Sequence, residues 1–194
     1  GLPRYKHGET GAVFAKLTSD DFVQLYKNPE KPLVNRLVGS SKYMGALNKV
    51  FGVYVNAAKK SPYLHSEIIE MMGAVLKSTV LEVDLINQFV PTIPKDTPDY
   101  ATRMGGLEKM KAGMSSIANG AIISISERQT YTRDDLLRLI GYMKSSLPKI
   151  VSELTPEKQK EAFQHLDKIQ NNSSNHDLQP DLKELHDSIK AIVN

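Results

Sequence analysis

The sequence predicts an all-α protein: an antiparallel helical bundle of about four long helices, with short amino-terminal helices and a carboxy-terminal helical hairpin. Three observations predict this class. From residue 41 onward, apolar residues recur at steps of three and four, which is the spacing of one helical face. Proline, glycine and capping residues divide the chain into helix-sized segments. The alternation of apolar and polar residues that marks a half-buried strand is nearly absent.

The 194 residues fit one domain, which we divide into four parts. Residues 1–17 show no sustained periodicity, and we expect an extended arm there. Residues 18–39 are expected to form short helices, with a break at Asn28-Pro29 and a stop at Gly39, because proline and glycine end helices. The main bundle is predicted over 40–154, and the hairpin over 155–194.

The first two long helices are predicted over about 40–60 and 62–89. The earlier helix carries a single apolar stripe, which predicts one buried face. The later helix carries apolar residues on more than one face, which is typical of a helix surrounded by neighbours. We therefore expect 62–89 to be the central helix. The stripe of the earlier helix consists of Met44, Leu47, Phe51, Tyr54 and Ala58.

The third long helix is predicted over about 97–127. Within it, residues 121–126 could form a short strand in isolation, but the helical pattern on both sides favours helix. The apolar stripe again has steps of three and four, so this helix is also expected to bury one face. The stripe consists of Leu107, Met110, Met114, Ile117, Ala121 and Ile125.

Local signals mark the remaining helices. Thr132 followed by Asp135 has the spacing of a capping box and predicts the start of a fourth long helix. Pro148 is expected to kink or split that helix, because proline lacks the amide hydrogen that an interior position donates. Thr155 before a proline starts the hairpin, and the polar run 171–175 is expected to be the loop between its two helices.

Composition narrows the classes of function. The chain has no cysteine, which excludes disulfides, thiolate metal sites and thiol catalysis. No run of about 18 apolar residues occurs, so the sequence predicts no transmembrane helix and a soluble protein. The chain begins at Gly1 without an initiator methionine. Gly1 could be the remnant of a tag, or it could follow a removed signal peptide. The second interpretation, with the lack of cysteine, favours an exported protein, periplasmic or extracellular in a bacterium, with a cytoplasmic location as the alternative.

Glu82 is the most unusual carboxylate in the sequence. It lies on the same helical line as Val75 and Phe89, seven residues to either side, and so projects from the apolar arc of the predicted central helix. A carboxylate placed there must find a cation, share a hydrogen bond or become neutral. The functional interpretation is a polar or proton-transfer group inside a ligand cavity. The structural interpretation is an ion pair, or a side chain that extends to solvent at the bundle edge. The candidate cations for such a pair are Arg103, Lys111 and Arg138.

Glycines interrupt the third helix. Gly106, Gly113 and Gly120 are seven residues apart and form a row along one flank of its apolar stripe. Each interior glycine costs a helix roughly 1 kcal/mol relative to alanine, so the row requires compensation. The row predicts either a groove that accepts a ligand or partner, or close packing against another helix of the chain.

Methionines could add an adaptable apolar lining to such a cavity, and our candidates are Met72, Met110 and Met114. The alternative interpretation is core filling, which is the usual role of methionine at core spacing. No catalytic motif or cofactor-binding signature is present, and we expect no cofactor. His65, Glu67 and Glu70 lie within two turns of one helix, but the facing helices offer no matching ligand set, so no metal site is predicted.

Charge is unevenly distributed within a net total of +3. Residues 1–60 hold ten basic and four acidic residues, whereas 61–194 hold fifteen and eighteen. On the 40–60 helix, Lys42, Lys49 and Lys60 share an outer stripe without any acid. The default interpretation of this stripe is a solvated face. The functional interpretation is contact with an anionic surface, such as a membrane, an acidic protein or, with less support, a nucleic acid.

These features predict a non-enzymatic binding or interaction protein whose partner is an unknown protein or a small apolar ligand. A second interpretation is a helical carrier or enzyme with the buried carboxylate Glu82 in a bundle cavity. A third is a binder of anionic surfaces through the lysine stripe. The first is the leading hypothesis, and the third ranks behind the other two.

Overall fold

The computed structural model describes residues 20–193 and confirms the all-α helical bundle. The described part contains no strand. The predicted arm over 1–17 lies outside the described residues. The α-helices, numbered in chain order, are α1 (Asp20–Lys27), α2 (Leu33–Ala58), α3 (His65–Phe89), α4 (Tyr100–Ser124), α5 (Arg133–Ser152), α6 (Pro156–Gln170) and α7 (Asp181–Val193), and short 3-10 turns cover Pro62–Leu64, Val90–Thr92 and Ser173–Leu178.

Helix α3 lies at the centre of the bundle, as its apolar residues predict. It packs against α2, α4 and α5, and side chains on several of its faces are buried. Ile69, Leu76 and Leu85 are each at most 1% exposed. Burying three such side chains stabilises the fold by several kcal/mol, at about 1.5–3 kcal/mol each. The element with the most continuous apolar sequence thus forms the core of the fold.

Helix α2 differs from the prediction at Gly39. The sequence predicted a short helix ending there and a new one from residue 40, but a single helix runs from Leu33 to Ala58. The reason is a contact with α1. A Cβ atom at Gly39 would lie 2.8 Å from a ring atom of Tyr26, whose ring also packs 5.9 Å from that of Tyr43. Gly39 therefore allows α1 to approach α2 and does not end the helix.

Helix α5 confirms one local prediction and corrects another. Thr132 accepts a hydrogen bond from the Asp135 amide, and Asp135 accepts one from the Thr132 amide, so the predicted capping box is present. Pro148 does not split the helix, which continues to Ser152. Leu147 and Ile150, on either side of Pro148, are fully buried. Their burial in the core holds the turn together where one backbone hydrogen bond is missing.

The carboxy-terminal helices α6 and α7 form the expected hairpin and pack against each other. The predicted amino-terminal cap of α6 is present, because the Thr155 side chain accepts a hydrogen bond from the Lys158 amide. The polar run predicted as a loop is instead largely a 3-10 turn over Ser173–Leu178. It is ordered by Asn175, which is 2% exposed and donates a hydrogen bond to the Ile169 carbonyl.

Candidate functional site

A groove runs between α2 and α4, with α3 as its floor. Residues 41–48 of α2 line it together with residues 109–117 of α4, and residues 48–55 together with 116–124. Both walls therefore run in the same direction. The floor, α3, runs in the opposite direction. Glu82 lies beside the lower-numbered residues of both walls, and Met72 lies beside the higher-numbered ones. Two cavities lie along this groove, and Asn48 and Ile117 belong to the walls of both.

The first cavity, which we call the apolar cavity, has a volume of about 410 Å³. This is within the range of small-molecule sites, roughly 300–1,000 Å³. Its walls are mainly aliphatic and aromatic. Asn48 and Ser116 are polar groups at the end next to the second cavity, and the other polar groups lie at or beyond the carboxy-terminal end of α4. The lining residues include Phe51 and Val55 from α2, Met72, Val75 and Leu76 from α3, Ile117, Gly120 and Ala121 from α4, and Glu127 and Tyr131 beyond α4.

The second cavity, which we call the polar cavity, has a volume of about 380 Å³. It adjoins the apolar cavity and differs from it in charge, because a carboxyl group, an ammonium group and a hydroxyl group all line it. Such a mixture of groups can bind and orient the polar end of a ligand. The lining residues are Ser41, Met44, Gly45, Asn48, Glu82, Lys109, Met110, Gly113, Met114 and Ile117.

Glu82 is the buried polar group of this site. It is 7% exposed, and its recorded hydrogen bond comes from the Ser41 hydroxyl at 3.2 Å. Burial raises the pKa of the Glu82 carboxyl, and the hydrogen bond from Ser41 only partly offsets the rise. The neutral carboxyl, which can donate a hydrogen bond, therefore persists to higher pH than that of an exposed glutamate.

The expected ion pair of Glu82 is wrong for the described residues. Arg103 pairs with an acid of its own helix, and Lys111 pairs with Glu153 at 3.5 Å. Arg138 pairs with Glu70 and with its own helix neighbour at position 135. All three candidate cations are thus engaged elsewhere, and among residues 20–193 no basic side chain forms an ion pair with the carboxyl group of Glu82.

The glycines of α4 line open space. A Cβ atom built at Gly105, Gly106, Gly113 or Gly120 would meet no other atom within 4 Å. No helix within the described residues therefore uses this row for close packing, so that interpretation is wrong for the described part of the chain. Gly113 lines the polar cavity and Gly120 the apolar cavity, whereas Gly106 lines neither. Two of the three glycines thus widen the groove.

The predicted methionines divide between the two cavities. Met72 lines the apolar cavity, whereas Met110 and Met114 line the polar one. Met114 is also a core residue at 2% exposed. The structure thus brings Glu82 and the three methionines together along one groove, although they come from two helices.

The predicted lysine stripe lies outside the groove. Lys42, Lys49 and Lys60 are exposed and line neither cavity. They therefore belong to a separate surface.

Sequence reasoning missed several residues of the groove. Ser41, Asn48 and Lys109 line the polar cavity but had no distinguishing pattern in the sequence. Ser41 and Asn48 are seven residues apart in the sequence, so helical periodicity places them on one line of α2. That spacing could have grouped the two residues, but it could not show that the polar side of α4 lies opposite.

The remaining candidate clusters have structural partners. Glu70 accepts hydrogen bonds from Arg138 and from the Tyr142 hydroxyl. Within residues 20–193, no group of three or more histidine and carboxylate side chains is arranged to hold a metal ion. In the same part of the chain, no helix combines the length and the apolar character needed to cross a membrane.

No protein-family model matches the chain, and neither a curated protein nor a solved structure matches it significantly. The function is therefore argued from the groove itself.

Proposed function

We propose that this chain is a non-enzymatic carrier that binds an elongated, amphipathic small molecule in the groove between α2 and α4. The observation that carries the proposal is the adjacency of an apolar cavity of about 410 Å³ and a polar cavity of about 380 Å³. An apolar chain would occupy the first cavity, and a polar end group would occupy the second.

The chemistry of the polar cavity favours an end group that is rich in oxygen. Lys109 supplies an ammonium group and Ser41 a hydroxyl group. Glu82 supplies a carboxyl group with a raised pKa, which in its neutral form donates a hydrogen bond. These groups suit a carboxylate or a carbonyl oxygen. A long-chain carboxylic acid combines such an end group with a chain for the apolar cavity.

The lining of the polar cavity favours binding over catalysis. Its ionisable side chains are Glu82 and Lys109. A hydrolytic or transfer reaction commonly needs a nucleophile with an adjacent base and a third group that orients the base. Ser41 has no histidine beside it in this cavity, and its hydroxyl donates to the carboxyl group of Glu82. The enzyme interpretation therefore has less support than a carrier.

The test is the binding of cis-parinaric acid, a fluorescent long-chain carboxylic acid, to the whole chain. Gly120→Leu should fill the apolar cavity, because the Cβ atom meets nothing within 4 Å and the longer side chain reaches into open space. Gly106→Leu is the matched control, since it lies on the same row but lines neither cavity. We expect roughly a tenfold weaker affinity for Gly120→Leu, which corresponds to about 1.4 kcal/mol, and an unchanged affinity for Gly106→Leu.

Competition between unlabelled ligands and the fluorescent probe tests which polar end group the polar cavity prefers. Hexadecanoic acid should displace the probe, whereas hexadecylamine should displace it less well because Lys109 repels an ammonium group. Equal affinities of Gly120→Leu and the native chain would overturn the proposal. Absence of any saturable binding by the folded native chain would also overturn it.

A further inference from the structure

The surface of α2 that faces away from the bundle combines exposed valines with lysines that form no ion pair with any described residue. We call it the α2 outer face, and it consists of Val34, Val38, Lys42, Lys49, Gly52, Val53 and Asn56. Its valines are unusually open: Val34 is 51%, Val38 48% and Val53 57% exposed. The face spans about 33 Å at 1.5 Å per residue. It is thus a long surface with aliphatic side chains near both ends.

The charge of this surface has one sign. No acidic residue occurs between Glu30 and Glu67, whereas six basic residues do. Lys42 and Lys49 are exposed and make no ion pair with a described residue. Elsewhere in the bundle, by contrast, Lys111, Lys144 and Lys149 each pair with a carboxylate from another helix. The positive charge of the α2 outer face is therefore available to an external anionic partner.

We infer that the α2 outer face docks onto the surface of an anionic phospholipid bilayer. The lysines attract the lipid phosphates, and the valines enter the boundary between headgroups and acyl chains. The charge complementarity and the aliphatic side chains together favour lipid, because the phosphate backbone of a nucleic acid has no apolar region in which a valine side chain could be buried. A stacking platform for bases is also absent from this face, since Tyr43 and Tyr54 of α2 are buried on the opposite side.

The inference goes beyond the proposed carrier function and does not depend on it. The groove lies between α2 and α4, whereas the outer-face lysines line neither cavity. Gly120→Leu, which fills the apolar cavity, should therefore leave vesicle binding unchanged. Loss of vesicle binding in Gly120→Leu but not in the lysine variants would assign the lipid contact to the groove and overturn the inference.

The first test is co-sedimentation with vesicles of phosphatidylcholine alone and with vesicles in which about a third of the lipid is phosphatidylglycerol. The native chain should bind the anionic vesicles and release them as salt is raised. A lysine near an anionic surface contributes about a fivefold gain in partitioning, so Lys42→Gln with Lys49→Gln should weaken binding ~25-fold. Lys160→Gln with Lys168→Gln is the matched control, because both lysines are exposed on α6.

The second test separates lipid from other anionic partners. Val38→Ser with Val53→Ser keeps every charge and should weaken vesicle binding roughly fourfold per valine, the equivalent of about one methylene group leaving the lipid. Circular dichroism confirms that each variant is folded. Equal binding to neutral and anionic vesicles would overturn the inference. It would also be overturned if the Gln pair on α6 weakened binding as much as the pair on α2, or if duplex DNA were bound more tightly than the vesicles and the valine pair had no effect.

Discussion

The glycines of α4 give the sharpest prediction about the fold. Gly113 and Gly120 line the groove, whereas Gly105 and Gly106 lie about two turns before Gly113 on the same helix and outside both cavities. All four are exposed, and an added Cβ would meet nothing within 4 Å. The double variants Gly113→Ala/Gly120→Ala and Gly105→Ala/Gly106→Ala therefore differ only in whether the new methyl groups enter the groove.

The expected magnitude follows from helix propensity alone. Alanine is favoured over glycine by about 1 kcal/mol in a helix interior, and no clash opposes it here. Helix propensity is counted per residue, and none of the added methyl groups meets another group within 4 Å, so the effects should sum to about 2 kcal/mol per double variant. For a chain of this length, that gain corresponds to a rise of about 4–8 °C in melting temperature.

The assay is urea unfolding followed by far-ultraviolet circular dichroism, with the slope of the transition compared among variants. Gly73→Ala should change the free energy of unfolding in the opposite direction in the same experiment. Its Cβ would lie 2.6–2.8 Å from ring atoms of Tyr142, so we expect a loss of about 1–3 kcal/mol from overpacking.

One result would refute this reasoning. If Gly113→Ala/Gly120→Ala destabilised the chain while Gly105→Ala/Gly106→Ala stabilised it, the groove glycines would have to be in contact with another part of the molecule or a second copy. The groove would then not be open in solution.

Three further predictions concern ionisable groups. Burial raises the pKa of Glu82 in the folded chain, so stability should fall as pH rises above about 4.3; urea unfolding should show Glu82→Gln to be more stable than the native chain at neutral pH and equal to it in acid. Burial tends to raise the pKa of Asp135, but hydrogen bonds from Thr132, Arg138 and Ser66 lower it overall. Asp135→Asn should therefore cost about 1–3 kcal/mol at neutral pH, a difference that shrinks as pH falls below about 3.9, and an unchanged difference in acid would contradict the assignment. Burial raises the pKa of Tyr131 and Tyr142 to about 12, so the free energy of unfolding should decrease as pH rises from about 10 toward 12. In an ultraviolet titration of tyrosine ionisation, the step at the highest pH should be reduced in Tyr131→Phe and in Tyr142→Phe.

The helices were predictable where short-range chemistry decides them. The capping box of Thr132 and Asp135 is complete within four residues, so the sequence contains all of it. Gly39 and Pro148 misled the prediction for the opposite reason. Gly39 leaves room for the ring of Tyr26 from another helix, and Pro148 lies between buried neighbours on α5. A helix continues through a glycine or proline when tertiary packing compensates for the local cost of that residue.

The candidate site was predictable only in part. The position of Glu82 on an apolar arc was enough to predict its burial, because that depends on one helix and its periodicity. Its lack of a cation was not predictable. Of the candidate cations, Arg103 pairs with Asp99, four residues before it, whereas Lys111 pairs with Glu153 from a distant part of the chain. Pairings between distant parts of the chain follow from the three-dimensional arrangement of the helices.

The glycine row shows most directly where sequence reasoning ends. A spacing of seven residues places Gly106, Gly113 and Gly120 on one line of α4, and this is equally compatible with a close-packed neighbour and with an empty groove. The distinction depends on the distance from each Cβ position to the next helix. At Gly73 the nearest ring atom is 2.6 Å away, whereas at Gly113 nothing lies within 4 Å. The same residue type therefore closes one interface of the bundle and opens another, and its local cost in α4 is left uncompensated until something occupies the groove.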